Sequence, residues 1–250
     1  MQSMREQVSA EEWRLRVELA AAYRMVAHFG WDDFIFTHLS VRVPGPEHHF
    51  LLNPYDLAFD EVTASSLVKV DLDGKPVLPT THPINRAGFV IHSALHMARE
   101  DAQCVMHLHT DAGAAVSAQA DGLLPLTQTA MAVLHEVAYH DFEGVATELE
   151  ERERLVADLG DKFILILRNH GTLAVGPTIG EAFFRMYFLE RACASQVMAL
   201  TAPGGVNQPH QGVPERTGQQ VDMGRKPIVD RMFWPAMLRR VERLDPGFAD

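Results

Sequence analysis

The stretch Cys104-Val105-Met106-His107-Leu108-His109-Thr110 alternates imidazole and apolar side chains. Read as a strand, it sends His107 and His109 to one face and Cys104, Met106 and Leu108 to the other. A face carrying two imidazoles is costly to bury unless the rings find hydrogen-bond partners or a metal. A second apolar run, Phe163-Ile164-Leu165-Ile166-Leu167, ends in Arg168-Asn169-His170-Gly171, which sets a third histidine in a tight turn at a strand end. Three neutral imidazoles brought together suit one divalent ion, zinc first and manganese or iron as alternatives, with positions left for water or substrate. By spacing alone, a metal centre and a set of hydrogen-bonded structural histidines are equally good accounts.

Several elements must position those rings. Ser9 and Glu12 form a capping-box pair ahead of a helix over 9–29, with Leu15, Leu19, Ala22, Val26 and Phe29 on its apolar face and Gly30 as its stop. Strands are predicted over 34–43, 49–52 and 67–72, the last returning through 76–78 after the Asp73-Gly74 turn. Helical spacing over 84–99 puts Phe89, His92, His96 and Arg99 on one side. A small-residue helix over 111–119 follows the histidine strand, and a weaker strand signal covers 134–139. Capping boxes at Thr147/Glu150 and Thr178/Glu181 open helices over 147–159 and 178–200, with a strand over 172–175 between them. Residues 202–226, rich in Gly, Pro and Gln, read as a flexible linker, and 227–250 as a C-terminal helical extension. The interspersed elements imply a mixed α/β class with a largely antiparallel sheet and helices on its faces.

The whole chain is 250 residues, 47% hydrophobic and 22% charged, which is enough for one sizeable core. Its net charge of -11 and lack of a basic stripe argue against nucleic acid. No apolar run is long enough to span a membrane, and the polar N-terminus carries no signal-peptide core. Cys104 and Cys193 sit in apolar contexts and read as buried reduced thiols. A cytoplasmic location is the expectation.

From residue 12 to residue 200 the chain resembles the class II aldolase/adducin family. The matching pieces stand in the family's order. They are Thr37-His38-Leu39-Ser40-Val41-Arg42, Asn53-Pro54-Tyr55-Asp56, Val62-Thr63-Ala64-Ser65, and Val68-Lys69-Val70-Asp71-Leu72-Asp73-Gly74. Ile91-His92-Ser93, Val105-Met106-His107-Leu108-His109-Thr110 and Leu167-Arg168-Asn169-His170-Gly171 follow. The resemblance implies a three-layer α/β/α fold over 1–201 and a divalent metal on His107, His109 and His170. It also implies a homotetramer with active sites between subunits.

The same resemblance exposes two departures. The family's aldolases carry a Ser-Ser-Glu motif whose glutamate is the acid/base. Here Pro79-Thr80-Thr81-His82 stands by motif, and Gly88 by spacing back from His92, so no carboxylate is present at either place. The aldolases' phosphate-binding Gly-Asn-x-Ser becomes Thr37-His38-Leu39-Ser40. His38, Ser40, Thr80 and Thr81 are therefore candidate substrate-binding residues, and His92 a candidate catalytic residue or fourth ligand. Tyr139 and Glu143, in a segment that also resembles the family, are further catalytic candidates with His140 beside them, and a surface loop is an equal account of that segment. Arg168 is placed to bind a substrate carboxylate or to be a solvated strand-end arginine.

A metal-held carbonyl or hydroxyl oxygen serves aldol cleavage and decarboxylation alike, given a general acid/base. The expected function is a metal-dependent carbon–carbon lyase acting on a small oxygenated carbonyl or carboxylic acid compound. The departures tilt it away from sugar phosphates. Iron-dependent oxygenase chemistry on the same ligands is one alternative. A non-catalytic adducin-like head is another. The intact histidines, and a sequence ending at Asp250 without the basic tail of adducins, weigh against the second.

Overall fold

The computed structural model describes residues 3–144 and 151–250. Its strands are β1 (His38–Arg42), β2 (Phe50–Leu52), β3 (Val68–Val70), β4 (Cys104–Leu108), β5 (Val137–His140), β6 (Ile164–Leu167) and β7 (Gly171–Gly176). Its helices are α1 (Met4–Gln7), α2 (Ala10–Phe29), α3 (Arg86–Ala98), α4 (Asp111–Ser117), α5 (Gln128–Val133), α6 (Glu151–Leu159), α7 (Ile179–Thr201), α8 (Val213–Ile228) and α9 (Trp234–Leu244). The strands form one seven-stranded sheet in the order β3-β2-β1-β4-β7-β6-β5. Every neighbouring pair is antiparallel except β5 with β6, whose connection runs through α6 as a parallel pair requires.

β4 lies mid-sheet and is buried along its length. Cys104, Met106 and Leu108 face a core shared with α2, α4, α5 and α7. Val105 faces the opposite core, where Ile91 and Leu95 of α3 and Leu155 and Leu159 of α6 pack. Helices cover both faces, which is the three-layer α/β/α arrangement that was expected. Register does the positioning: His38 on β1 stands opposite His107 on β4, which stands opposite Leu173 on β7.

The caps read from sequence operate for α2 and α7. Ser9 and Thr178 each accept the backbone N–H three residues on, at 3.1 Å. Gly30 ends α2 in the left-handed conformation, at φ 65°. The predicted Thr147/Glu150 box lies outside the described residues. Three predicted strands are shorter than expected. The run 34–43 begins only at His38, because Phe34 takes φ 54° and Phe36 N–H closes a turn onto Asp33. The 67–72 run is trimmed to Val68–Val70, with a lone bridge to Pro76 as its return. The 134–139 signal opens with a 3₁₀ turn, Leu134–Glu136, before β5.

The expected linker over 202–226 is corrected from residue 213 on by α8, which fills Val213–Ile228, while 202–212 carry no helix or strand. Gly212 and Pro214 are helix-start residues here: Gly212 precedes the helix at φ 79° and Pro214 sits in the first turn, where the missing N–H is harmless. Gly218 lets α8 approach the body closely, since a Cβ there would lie 2.5 Å from Nδ1 of His135. Arg225 is buried and donates to Glu136 at 2.5 and 2.6 Å. After Pro227 the helix widens into a π turn, Val229–Phe233, and continues as α9. The 227–250 segment packs on the body: Trp234 covers Gly180, and Ser65 N–H donates to Asp250 at 2.9 Å. Among the described residues, no helix is long and apolar enough to cross a membrane.

Glu136 also accepts from Arg185 of α7 at 3.1 Å, so two buried guanidinium groups share one buried carboxylate, and each has a second acid beside it, Glu181 for Arg185 and Asp222 for Arg225. Removing one member of such a set leaves uncompensated buried charge. Glu136→Ala is expected to cost about 3 kcal/mol in urea unfolding. Lys226→Ala, at an exposed pair with Asp230, should change stability by less than about 1 kcal/mol.

Candidate metal centre

The third histidine depends on the β6–β7 turn. Asn169 adopts φ 56°, a conformation that asparagine tolerates better than most residues, and His170 N–H donates to Leu167 at 3.1 Å. The turn rests on α4, where Ser117 accepts Asn169 N–H and His170 N–H, each at 3.2 Å. Gly171 then slides against β4. A Cβ at that position would sit 2.5 Å from the Leu108 carbonyl oxygen and 3.1 Å from the His109 ring.

The three rings meet. Nε2 of His109 lies 2.9 Å from Nε2 of His107 and 2.8 Å from Nε2 of His170. The far nitrogens of two rings are already committed. Nδ1 of His107 donates to the Thr172 carbonyl at 3.0 Å, and Nδ1 of His109 faces the Asp33 carboxylate at 3.0 Å. A neutral imidazole whose proton is held on Nδ1 has only a lone pair on Nε2. Two lone pairs 2.9 Å apart repel unless a cation accepts both, so the donor set fits a metal. Burial pushes His107 well below the ordinary histidine value and brings His170 down to about 4, with their histidine neighbours adding to both shifts. Both effects keep the rings in the neutral, ligating form.

Behind the rings, Glu190 of α7 ties two strand ends together. It accepts from the Thr110 hydroxyl and, at 2.8 Å, from the Thr172 hydroxyl. In front, the triad, Asp33, Phe36, His38, Tyr55 and Phe142 border a cavity of about 490 Å³.

The family model described as Class II Aldolase and Adducin N-terminal domain matches residues 17–197. The chain belongs to the class II aldolase and adducin family. It is 57% identical to an aldolase class 2 family protein of Caulobacter vibrioides, over 99% of this chain and 96% of that one. It is 48% identical to rat alpha-adducin over 76% of this chain, which spans only 26% of that protein. The solved structure of L-fuculose 1-phosphate aldolase from Glaciozyma antarctica superposes with a TM-score of 0.83 at 31% identity, covering 95% of this chain and 92% of that one. The family supports a lyase at the superfamily level.

Within this family frame the other candidates fall in different places. His38 borders the cavity. His92 and Ser40 do not: both are fully buried behind His38, at 0% exposure. Tyr139 turns its hydroxyl to Leu123 N–H at 3.0 Å and its ring to Arg168. Arg168 donates to the Gln119 carbonyl at 2.8 Å, which holds it away from a cavity ligand. Glu143 is exposed and paired with Arg154, which pulls its carboxyl below the usual range, while its neighbours Phe142 and Gly144 line the cavity. Thr80, Thr81 and His82 border a separate cavity of about 390 Å³ with Ser65, Ser66 and Lys69, and His82 is paired with Asp56. Reading the sequence missed Asp33 and Glu190. The acidic pair Asp32-Asp33 just ahead of β1 was the available signal for the first. Glu190 lies in a helix that reads as core, and nothing local marks it.

Gly171→Ala is expected to lose about 2 kcal/mol by urea unfolding and to lower metal content in elemental analysis, because backbone cannot yield at Leu108. Burial raises Glu190 to about 7 from the ordinary 4.5, against the pull of its two threonine donors. The native state therefore holds a proton that the unfolded chain releases, and this group's contribution to stability is lost as pH rises from 4.5 to 7. Urea unfolding of Glu190→Gln across that range should give a flatter stability profile and a gain of about 2 kcal/mol at pH 8.

Proposed function

We propose that this protein is a metal-dependent carbon–carbon lyase acting on a small hydroxylated carbonyl compound. His107, His109 and His170 hold one divalent ion, zinc by preference, with manganese or iron as the alternatives. The observation that carries this is the convergence of three Nε2 atoms, on two of which the acceptors Thr172 and Asp33 at Nδ1 favour the tautomer with a free Nε2 lone pair. A divalent ion there supplies a Lewis acid for an oxygen beside the scissile bond.

The chain's own residues do the rest. Thr172 and Asp33 orient the ligand rings, and Glu190 holds the strand ends that carry them. Phe36 and Phe142 form an apolar rim that limits water around the bound substrate. Between the two lyase reactions, aldol-type cleavage is favoured over decarboxylation. Arg168, the cation expected to hold a carboxylate, is engaged by Gln119 and Tyr139 instead, and the 31%-identical neighbour is named for an aldolase. The exposed rings of Phe34, Phe36 and Phe142 support a neighbouring subunit over the cavity mouth, in the homotetramer that the family resemblance implies. We place the protein in the cytoplasm.

A non-catalytic, adducin-like role is the second reading, favoured by the 48% identity to alpha-adducin. Elemental analysis separates the two. The purified protein should hold one ion per chain, and His107→Ala none. A panel of hydroxyaldehydes and hydroxyketones, with and without phosphate, should yield aldehyde products. Release of CO₂ from 2-oxo, 2-hydroxy or aromatic acids would replace cleavage by decarboxylation, and dioxygen consumption by an iron-loaded sample would replace both. A wild-type protein free of metal and inert on all of them would leave the binding-module reading.

A further inference from the structure

Behind the cavity wall runs a line of buried side chains. Nδ1 of His38 lies 2.7 Å from Nε2 of His92, and Nδ1 of His92 lies 2.6 Å from the Ser40 hydroxyl. That hydroxyl lies 2.6 Å from Nε2 of His96, whose Nδ1 lies 2.7 Å from the Ala102 carbonyl oxygen. All four side chains are buried, His38 the most exposed at 3%. A carbonyl can only accept, so the far end of the line has one direction available to it. His96 must carry its proton on Nδ1 to donate to Ala102. Burial pulls His96 down to about 4, so the ring is neutral and its Nε2 is an acceptor. Ser40 therefore donates to His96 and accepts from His92 Nδ1–H. His92 Nε2 is then an acceptor, and His38 must donate to it from Nδ1.

We propose that this buried line, anchored on the Ala102 carbonyl, fixes His38 in the tautomer with a bare Nε2, and so selects a substrate that presents a hydroxyl donor beside the metal. His92, Ser40 and His96 are positioning residues, and His38 is the group that meets substrate. The choice of hydroxyl rests on the metal reading above; the tautomer does not. His38 borders the cavity, its ring centroid 5.1 Å from that of His107. With Nδ1 spent on His92, the nitrogen it offers there is Nε2. The ring is seated on Gly88, where a Cβ would come within 2.4 Å of Cδ2 and 2.6 Å of Nε2, so a larger residue at 88 would displace it. A lone pair next to the metal welcomes a donor and disfavours an acceptor-only carboxylate or phosphate oxygen. The substrate class is then an α- or β-hydroxy ketone or aldehyde, its carbonyl on the metal side and its hydroxyl on His38.

The test uses the full-length, metal-bearing protein labelled with ¹⁵N-histidine. Long-range proton–nitrogen spectra should find His38, His92 and His96 all protonated on Nδ1 and bare on Nε2. Ser40→Ala should return His38 to a mixture of both tautomers, and Ser40→Thr, which keeps a hydroxyl, should restore the single one. In binding titrations hydroxyacetone should shift the His38 Nε2 resonance and bind at least about tenfold tighter than methoxyacetone, a preference that Ser40→Ala erases. A wild-type spectrum with His38 protonated on Nε2 overturns the proposal whatever the variants do. So do equal affinities for the two ketones on metal-bearing protein, and that result leaves the metal reading intact. A protein that holds no metal yet keeps the tautomer and the preference retains this inference and overturns that reading.

Discussion

Two imidazole nitrogens lie 2.9 Å apart at the end of the central strand, and the fold must hold both rings there. The work is shared among elements far apart in sequence. Pairing of β4 with β7 sets His107 against the Thr172 carbonyl. The left-handed Asn169 turns the chain so that His170 returns towards the same point, and Gly171 lets the two strands close up. Glu190, from the opposite layer, fastens both strand ends with one carboxylate. A cation satisfies what these constraints leave open.

The face of the sheet beneath α3 carries a buried polar patch set among apolar side chains such as Val105, Leu95 and Leu173. Ser40, His92, His96 and His107 are buried there, yet each has a partner at hydrogen-bond distance. The opposite face of the same strands is apolar. Burying a polar network is tolerable only when it is satisfied throughout, and a satisfied network admits few alternative arrangements. Both faces supply cohesion, and the patch beneath α3 adds the polar groups that supply chemistry.

Much of this was readable in advance, where a single residue type had a single use. The alternation in 104–110 placed His107 and His109 together because strand period is fixed, and Asn169-Gly171 announced a tight turn through backbone chemistry alone. The helix starts at Ser9 and Thr178 were legible for the same reason. What escaped depends on partners chosen by the tertiary fold. Residues 202–226 look like a linker by composition, yet α8 forms because Gly218 meets His135 and Arg225 meets Glu136, neither of which is visible locally. His92 was seen as a helix-face histidine near the site, but only the register of β1 reveals that His38 stands between it and the cavity. For Arg168 and Tyr139 the sequence leaves a pocket role and a surface role equally open, and in the fold the guanidinium lies over the Tyr139 ring.

The orienting partners of the two β4 histidines differ in kind. His107 is steered by a main-chain oxygen, which no exchange of side chain at position 172 can delete. His109 is steered by the carboxylate of Asp33, in a loop where Phe34 already sits in an awkward backbone region. The coordination sphere therefore has one hinge point insulated from sequence drift and one that is open to it. A lineage abandoning metal while keeping the scaffold would meet least resistance at Asp33, with the sheet beneath His107 left undisturbed.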